Sequence, residues 1–188
     1  MNTLIMKIIN FLLLTFIFMS TFAQKQGKYY EQINKLRSIE AMPYGPELSG
    51  DSLFWNLTKE KLAIVPFLIE RIDDTTQTNA PVPYFSGNYA IGDICIRAIE
   101  EIIKEFPTVK LITNNDNEVK EKGYGVYWDY VKTGLKNRRM LKQKVKQWYA
   151  KNRNRLTWYQ DDKLYAASDS KNAQLKRRPA GGYYIIKK

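Results

Sequence analysis

The stretch Tyr89–Phe106, YAIGDICIRAIEEIIKEF, decides the fold. Ile91, Ile94, Cys95, Ala98, Ile99, Ile102 and Ile103 fall at i, i+3, i+4, i+7, i+8, i+11 and i+12, one unbroken stripe on a 3.6-residue period. Such a stripe must lie against other apolar surface, so the spacing predicts a core helix. Asp93, Arg97, Glu100, Glu101 and Lys104 take the opposite side and are expected to be solvated, and Pro107 stops the helix.

Working outward, the chain opens MNTLIMKIINFLLLTFIFMSTFAQ: a lone Lys7, an apolar run and small residues at Thr21 and Ala23. That is the pattern of an export signal, so residues 1–23 are read as a signal peptide cleaved after Ala23, and the protein as periplasmic or secreted. The alternative, a retained anchor, is disfavoured because the run is shorter than the roughly 20 residues that span a bilayer. No stable membrane insertion is expected after cleavage. Cys95 is the only cysteine, so no intramolecular disulfide forms, and its place in the stripe makes it a small buried hydrophobe. Residues 24–188 are then one mainly helical domain. Charge divides unevenly along it: Gln24–Asn117 carries 10 Lys+Arg against 13 Asp+Glu, and residues 118–188 carry 19 against 6.

Before the core helix, Tyr29, Ile33, Leu36 and Met42 predict an amphipathic helix ended by the Pro43–Pro46 turn cluster. Ser49, Gly50 and Asp51 offer N-cap chemistry to a short helix carrying Trp55. Leu62, Val65, Leu68, Ile69 and Ile72 make a further helix in which Pro66 sits near the first turn or kinks it. Here the residues carry a resemblance. LAIVPFLIERID, Leu62–Asp73, is similar to the first helix of a HEAT repeat, and IGDICIRAIEEI, Ile91–Ile102, is similar to the second. Gly92 departs from the pattern, which has arginine there, and the connection is longer than the family's tight turn. The resemblance covers about one repeat, Leu62–Ile103, and implies antiparallel helix pairs serving as an interaction scaffold. A single pair cannot cover its own apolar face, which also calls for stacking.

The connection Asp73–Tyr89, DDTTQTNAPVPYFSGNY, reads as a long loop in which Tyr84, Phe85 and Tyr89 either recognise a partner or fold back as a seal on the core. Asp73 and Asp74 are expected to shape the turn rather than do chemistry. After Pro107, Val109–Ile112 is a short apolar piece and TNNDNEVKEKG a surface turn. A long helix is predicted from Gly123 onward. Its inward seam is Trp128, Val131, Leu135, Leu141, Val145 and Trp148, thinned at Arg138, with a bend at Gly134. Lys132, Lys136, Arg139 and Lys146 form an outer basic stripe suited to acidic glycan, anionic lipid or nucleic acid, or simply solvated. Leu156–Gln160 and Lys163–Ala167 are read as a hairpin around Asp161 and Asp162, with Tyr183–Ile186 as a third strand, a small antiparallel β element at the C-terminus.

The chain has no histidine, which excludes Ser-His-Asp, Cys-His and His-metal chemistry. No glycine-rich phosphate loop or calcium loop is present, and no cofactor is expected. A glycoside hydrolase using carboxylates alone could draw on Asp93, Glu100, Glu101 or Asp129. The sequence therefore points first to an exported binding or interaction protein using the Tyr84, Phe85 and Tyr89 loop, then to a polyanion binder using the basic stripe.

Overall fold

A computed structural model describes residues 26–43, 50–166 and 175–187 of the chain. The proposed signal residues, Ser49 and Ala167 lie outside these. The described chain is mainly helical with small antiparallel sheets.

Residues 26–34 form α1, which tightens into a 3₁₀ turn at Lys35–Ser38. Tyr29, Ile33, Leu36 and Ile39 are buried along it. Helix α2 (Ser52–Lys59) begins at Asp51, whose carboxylate accepts from the Leu53 N–H at 2.8 Å, the capping expected of that residue. After a second 3₁₀ turn at Lys61–Ala63, α3 (Val65–Glu70) places Pro66 in its first turn, where no helical N–H is needed.

Helix α4 (Ile91–Ile102) is the centre, and its second face is wet only in part: Lys104 is exposed and Arg97, Glu100 and Glu101 are half-buried, but the first turn is covered. Asp93 is 2% exposed and Ile96 fully buried, because α7 (Gly125–Lys132) and α8 (Leu135–Asn152) supply groups that cover that side. Its N-terminus docks on backbone: Ile91 N–H donates to Thr76 O at 2.9 Å and Gly92 N–H to Asp74 O at 3.0 Å. A Cβ on Gly92 would stand 2.2 Å from Ile72 O. No side chain fits there, so the backbone docking requires glycine at this position.

The connection from α3 to α4 is not an open loop. It is a hairpin of β1 (Gln77–Pro81) and β2 (Asn88–Ala90), antiparallel, with Gln77 opposite Ala90 and Pro81 opposite Asn88. The ladder is irregular because three residues of β1 face one of β2. Thr78 bridges the irregularity, donating its hydroxyl to Tyr89 O and accepting from Ala80 N–H.

Beyond α4, the apolar piece and the expected surface turn both become helices, α5 (Thr108–Ile112) and α6 (Asp116–Lys122). The polar α6 starts because the Asn115 side chain accepts from the N–H groups of Asn117 and Glu118. The long helix expected after Gly123 is two helices. Gly134, at φ 128°, ends α7 in a conformation open to glycine, and α8 starts afresh. Leu135 is consequently 41% exposed rather than in the seam. The inward side of α8 runs Arg138, Leu141, Val145 and Asn152.

At the C-terminus, β3 (Leu156–Gln160) pairs antiparallel with β6 (Gly182–Ile186), while β4 (Leu164–Ala166) pairs with β5 (Leu175–Arg177). The expected hairpin between Leu156–Gln160 and the next strand does not form. Asp161 accepts from the Lys163 N–H, as a turn residue does, but also from the Tyr165 hydroxyl at 2.6 Å and Arg178 Nε at 3.2 Å, turning the chain away into a second ribbon. Lys104 N–H bonds Tyr184 O, fixing the β3–β6 pair to the end of α4.

Because Gly92 meets backbone, Gly92→Ala is expected to lower stability by about 2–3 kcal/mol, well beyond an ordinary glycine-to-alanine change. Urea unfolding of the two proteins checks this; an unchanged midpoint contradicts the docking described.

Candidate functional site

The site is built on the turn of the β1–β2 hairpin, residues 82–87. Val82 N–H donates to Gly87 O at 3.0 Å and Phe85 N–H to Val82 O at 3.3 Å, closing the turn on itself. Tyr84 sits at φ 62°, a conformation that turns its ring outward, where it is 91% exposed. Phe85 points the other way. Its ring lies 5.6 Å from that of Trp128, and Lys132 Nζ stands 4.9 Å from the Phe85 centroid. Tyr89 is buried edge-on against Trp128 at 5.4 Å.

Of the three aromatics expected in this region, Phe85 and Tyr89 thus pack on Trp128 of α7, and Tyr84 stands out. Two clefts flank Phe85, sharing Val82, Phe85 and Trp128 as walls. The wider, about 270 Å³, is lined by Pro83, Tyr84, Tyr89, Arg97 and Tyr124 as well. Arg97 donates to Glu100 at 2.6 Å and stacks 5.4 Å from the Tyr124 ring, so a half-buried cation borders an aromatic slot. The narrower, about 170 Å³, is lined by Gln77, Asn88, Lys132 and the buried pair Asp93 and Arg138.

That pair explains why a charged residue occupies the inward side of α8. Arg138 donates to Asp93 Oδ1 at 2.7 Å and Oδ2 at 3.2 Å. Tyr127 donates its hydroxyl to Oδ1 at 2.6 Å, and Ala90 N–H donates to Oδ2 at 2.8 Å. Four donors fill the carboxylate's lone-pair sites. Burial, together with the adjacent Asp93 charge, holds the Tyr127 phenol protonated far above the ordinary tyrosine range.

The basic stripe is dispersed. Lys132 belongs to the clefts, Lys136 and Arg139 are exposed on α8, and Lys146 pairs with Glu70 at 2.9 Å. Lys142 donates to Glu70 O at 2.7 Å and to Asp73 at 3.1 Å, and Lys144 donates to Leu111 O at 2.7 Å. Two lysines therefore cap the C-terminal carbonyls of α3 and α5.

The acids considered for hydrolysis stand in four separate settings. Asp93 faces Arg138, Glu100 faces Arg97 and the Thr108 hydroxyl, Glu101 faces Arg178, and Asp129 lies outside beside Lys122. Cys95 is fully buried, and desolvation pushes its thiol far above the ordinary range. Among the described residues no group of three or more acidic or cysteine side chains is placed to hold a metal ion, and no helix is long and apolar enough to cross a membrane.

Arg97, Tyr124 and Arg138 are among the lining residues that periodicity alone does not single out. Arg138 carried a signal: Val131, Arg138, Val145 and Asn152 recur every seven residues, so a cation on that seam calls for a buried acid. Comparison of the chain with protein-family models, with curated proteins and with solved structures finds no match.

Hydrogen bonding to Lys146, supported by Lys142, holds the Glu70 carboxyl below its ordinary range. Partial burial would raise that of Asp74, but the Thr76 N–H and Arg71 outweigh it and keep it low. Groups depressed on folding stabilise the fold above their unfolded pKa, about 4 for such acids, and that contribution disappears as pH falls through their folded values. The unfolding midpoint is expected to be level between about pH 5 and 8 and to fall below about pH 4. A midpoint unchanged or rising on acidification to about pH 3 contradicts these pairings.

Proposed function

We propose that the protein is an exported binding protein that takes an extended, partly apolar polypeptide segment at the clefts beside residues 82–87. The observation that carries this reading is the wider cleft itself, about 270 Å³ walled by Tyr84, Phe85, Tyr89, Tyr124 and Trp128 with Arg97 at its border. Rigid aromatic walls give contact area at low entropic cost, and a guanidinium supplies a directional donor, the combination that recurs where peptides are recognised. Export rests on the opening MNTLIMKIINFLLLTFIFMSTFAQ. The HEAT-like reading of Leu62–Ile103 draws support from the direct packing of α3 on α4, with the β1–β2 hairpin as an insertion between the two helices that carries the clefts.

A second reading, polyanion binding through α8, is favoured by the exposure of Lys136 and Arg139 and by the excess of basic residues after Asn117. The internal bonds of Lys142, Lys144 and Lys146 weaken it, since these cations already have partners.

Selection from a displayed random-peptide library, with synthetic versions of the enriched peptides measured against the wild type, Tyr84→Ala and Phe85→Ala, distinguishes the two. The cleft reading expects apolar or aromatic peptides whose affinity falls at least about tenfold in either variant, roughly the 1.4 kcal/mol of one lost ring contact. Enrichment of acidic peptides released by salt, and lost in Lys136→Gln and Arg139→Gln instead, moves the function to α8.

A further inference from the structure

The narrower cleft differs from its neighbour in carrying charge. Lys132 and Arg138 face one acid there, Asp93, so the lining has one positive charge in excess. Arg138 is 8% exposed, and its two bonds to Asp93 engage only two of the five N–H donors of a guanidinium. Lys132 is held over the Phe85 ring, at the wall between the clefts, rather than by a carboxylate.

Resting on the reading that the clefts bind a polypeptide, we infer that the narrower cleft receives a single free carboxylate, the C-terminus of a peptide whose last side chain, aromatic or aliphatic, lies in the wider cleft. Charge selects the group. One excess positive charge matches a carboxylate, whereas a phosphate dianion would bring two negative charges against Asp93. Size agrees, because about 170 Å³ is ample for a carboxylate with its α-carbon. Phe85 and Trp128, common to both clefts, form the passage between the carboxylate and the side chain. A terminal carboxylate held by donors next to an apolar pocket is a physically established recognition mode.

The test uses N-acetyl-L-phenylalanine, its amide, and the peptide acetyl-Gly-Gly-Phe with a free C-terminus. The indole N–H of Trp128 and the amide of Gly87 are followed by nuclear magnetic resonance of the whole chain. The two acids are expected to shift both signals and to bind at least tenfold more tightly than the amide, and Lys132→Gln is expected to remove that preference, bringing acid and amide to similar affinities. A tripeptide tighter than the single residue identifies a peptide C-terminus; equal affinities identify a free acylated amino acid with the same chemistry. Equal binding of acid and amide overturns the carboxylate assignment while leaving the aromatic cleft as a binding site. Failure of every probe to move Trp128 overturns it as well, and only the loss of library-selected peptides in Tyr84→Ala or Phe85→Ala would then keep the broader reading standing.

Discussion

One buried carboxylate organises this protein. Asp93 sits in the first turn of the central helix, 2% exposed, and accepts four hydrogen bonds: one from its own helix's entry, one from Tyr127 of α7 and two from Arg138 of α8. A carboxylate withdrawn from water without such partners would be costly by several kcal/mol. With them it is a joint that three helices must meet together. Apolar packing between helices tolerates sliding, but a bidentate guanidinium on a fixed carboxylate admits one register of α8 on α4. The clefts inherit their shape from that joint, since Tyr127 packs on Trp128 at 5.1 Å and the Asp93–Arg138 pair floors the narrower one.

The uneven charge of the chain follows the same logic. The basic part after Asn117 returns to the acidic part before it through Arg138 to Asp93, Lys142 to Glu70 and Asp73, Lys146 to Glu70, and Arg178 to Glu101. Lys142 and Lys144 in addition close the ends of α3 and α5 on open carbonyls. Four of the 19 basic residues after Asn117 thus complement acids of the preceding part, while the rest of the positive excess among the described residues lies on the surface. Exposed pairs such as Lys146 with Glu70 contribute little individually, and the half-buried Lys142 contributes more because its ammonium satisfies a backbone carbonyl as well.

Much of this is legible from residue spacing, and most of what is not depends on partners distant in sequence. The α4 stripe, the Asp51 cap, the position of Pro66 and the burial of Cys95 are local consequences of periodicity and backbone chemistry. Asp93 was placed on a wet face because an acid opposite an apolar stripe ordinarily seeks water; only a partner 45 residues away reverses that. Arg138 interrupted the seam for the same reason. Helix α6 carries no apolar periodicity because it buries no side chain, and it exists through its local Asn115 cap. Strand pairing at the C-terminus depended on Asp161 choosing Arg178 and Tyr165 over a simple hairpin, a tertiary decision. Among the cleft residues, Tyr84, Phe85, Tyr89 and Lys132 stood out as aromatic or basic clusters, whereas Arg97 and Tyr124 needed the fold to bring them together.

The most direct measurement is a double-mutant cycle on Asp93→Asn and Arg138→Gln, read by urea unfolding of the wild type, both single variants and the double variant. Each single change is expected to destabilise by about 3–5 kcal/mol, since it leaves the other charge buried alone. The double change is expected to cost clearly less than the sum, with a coupling of about 2 kcal/mol or more. Additive losses, or singles within about 0.5 kcal/mol of the wild type, would contradict the claim that this pair sets how α8 docks on α4.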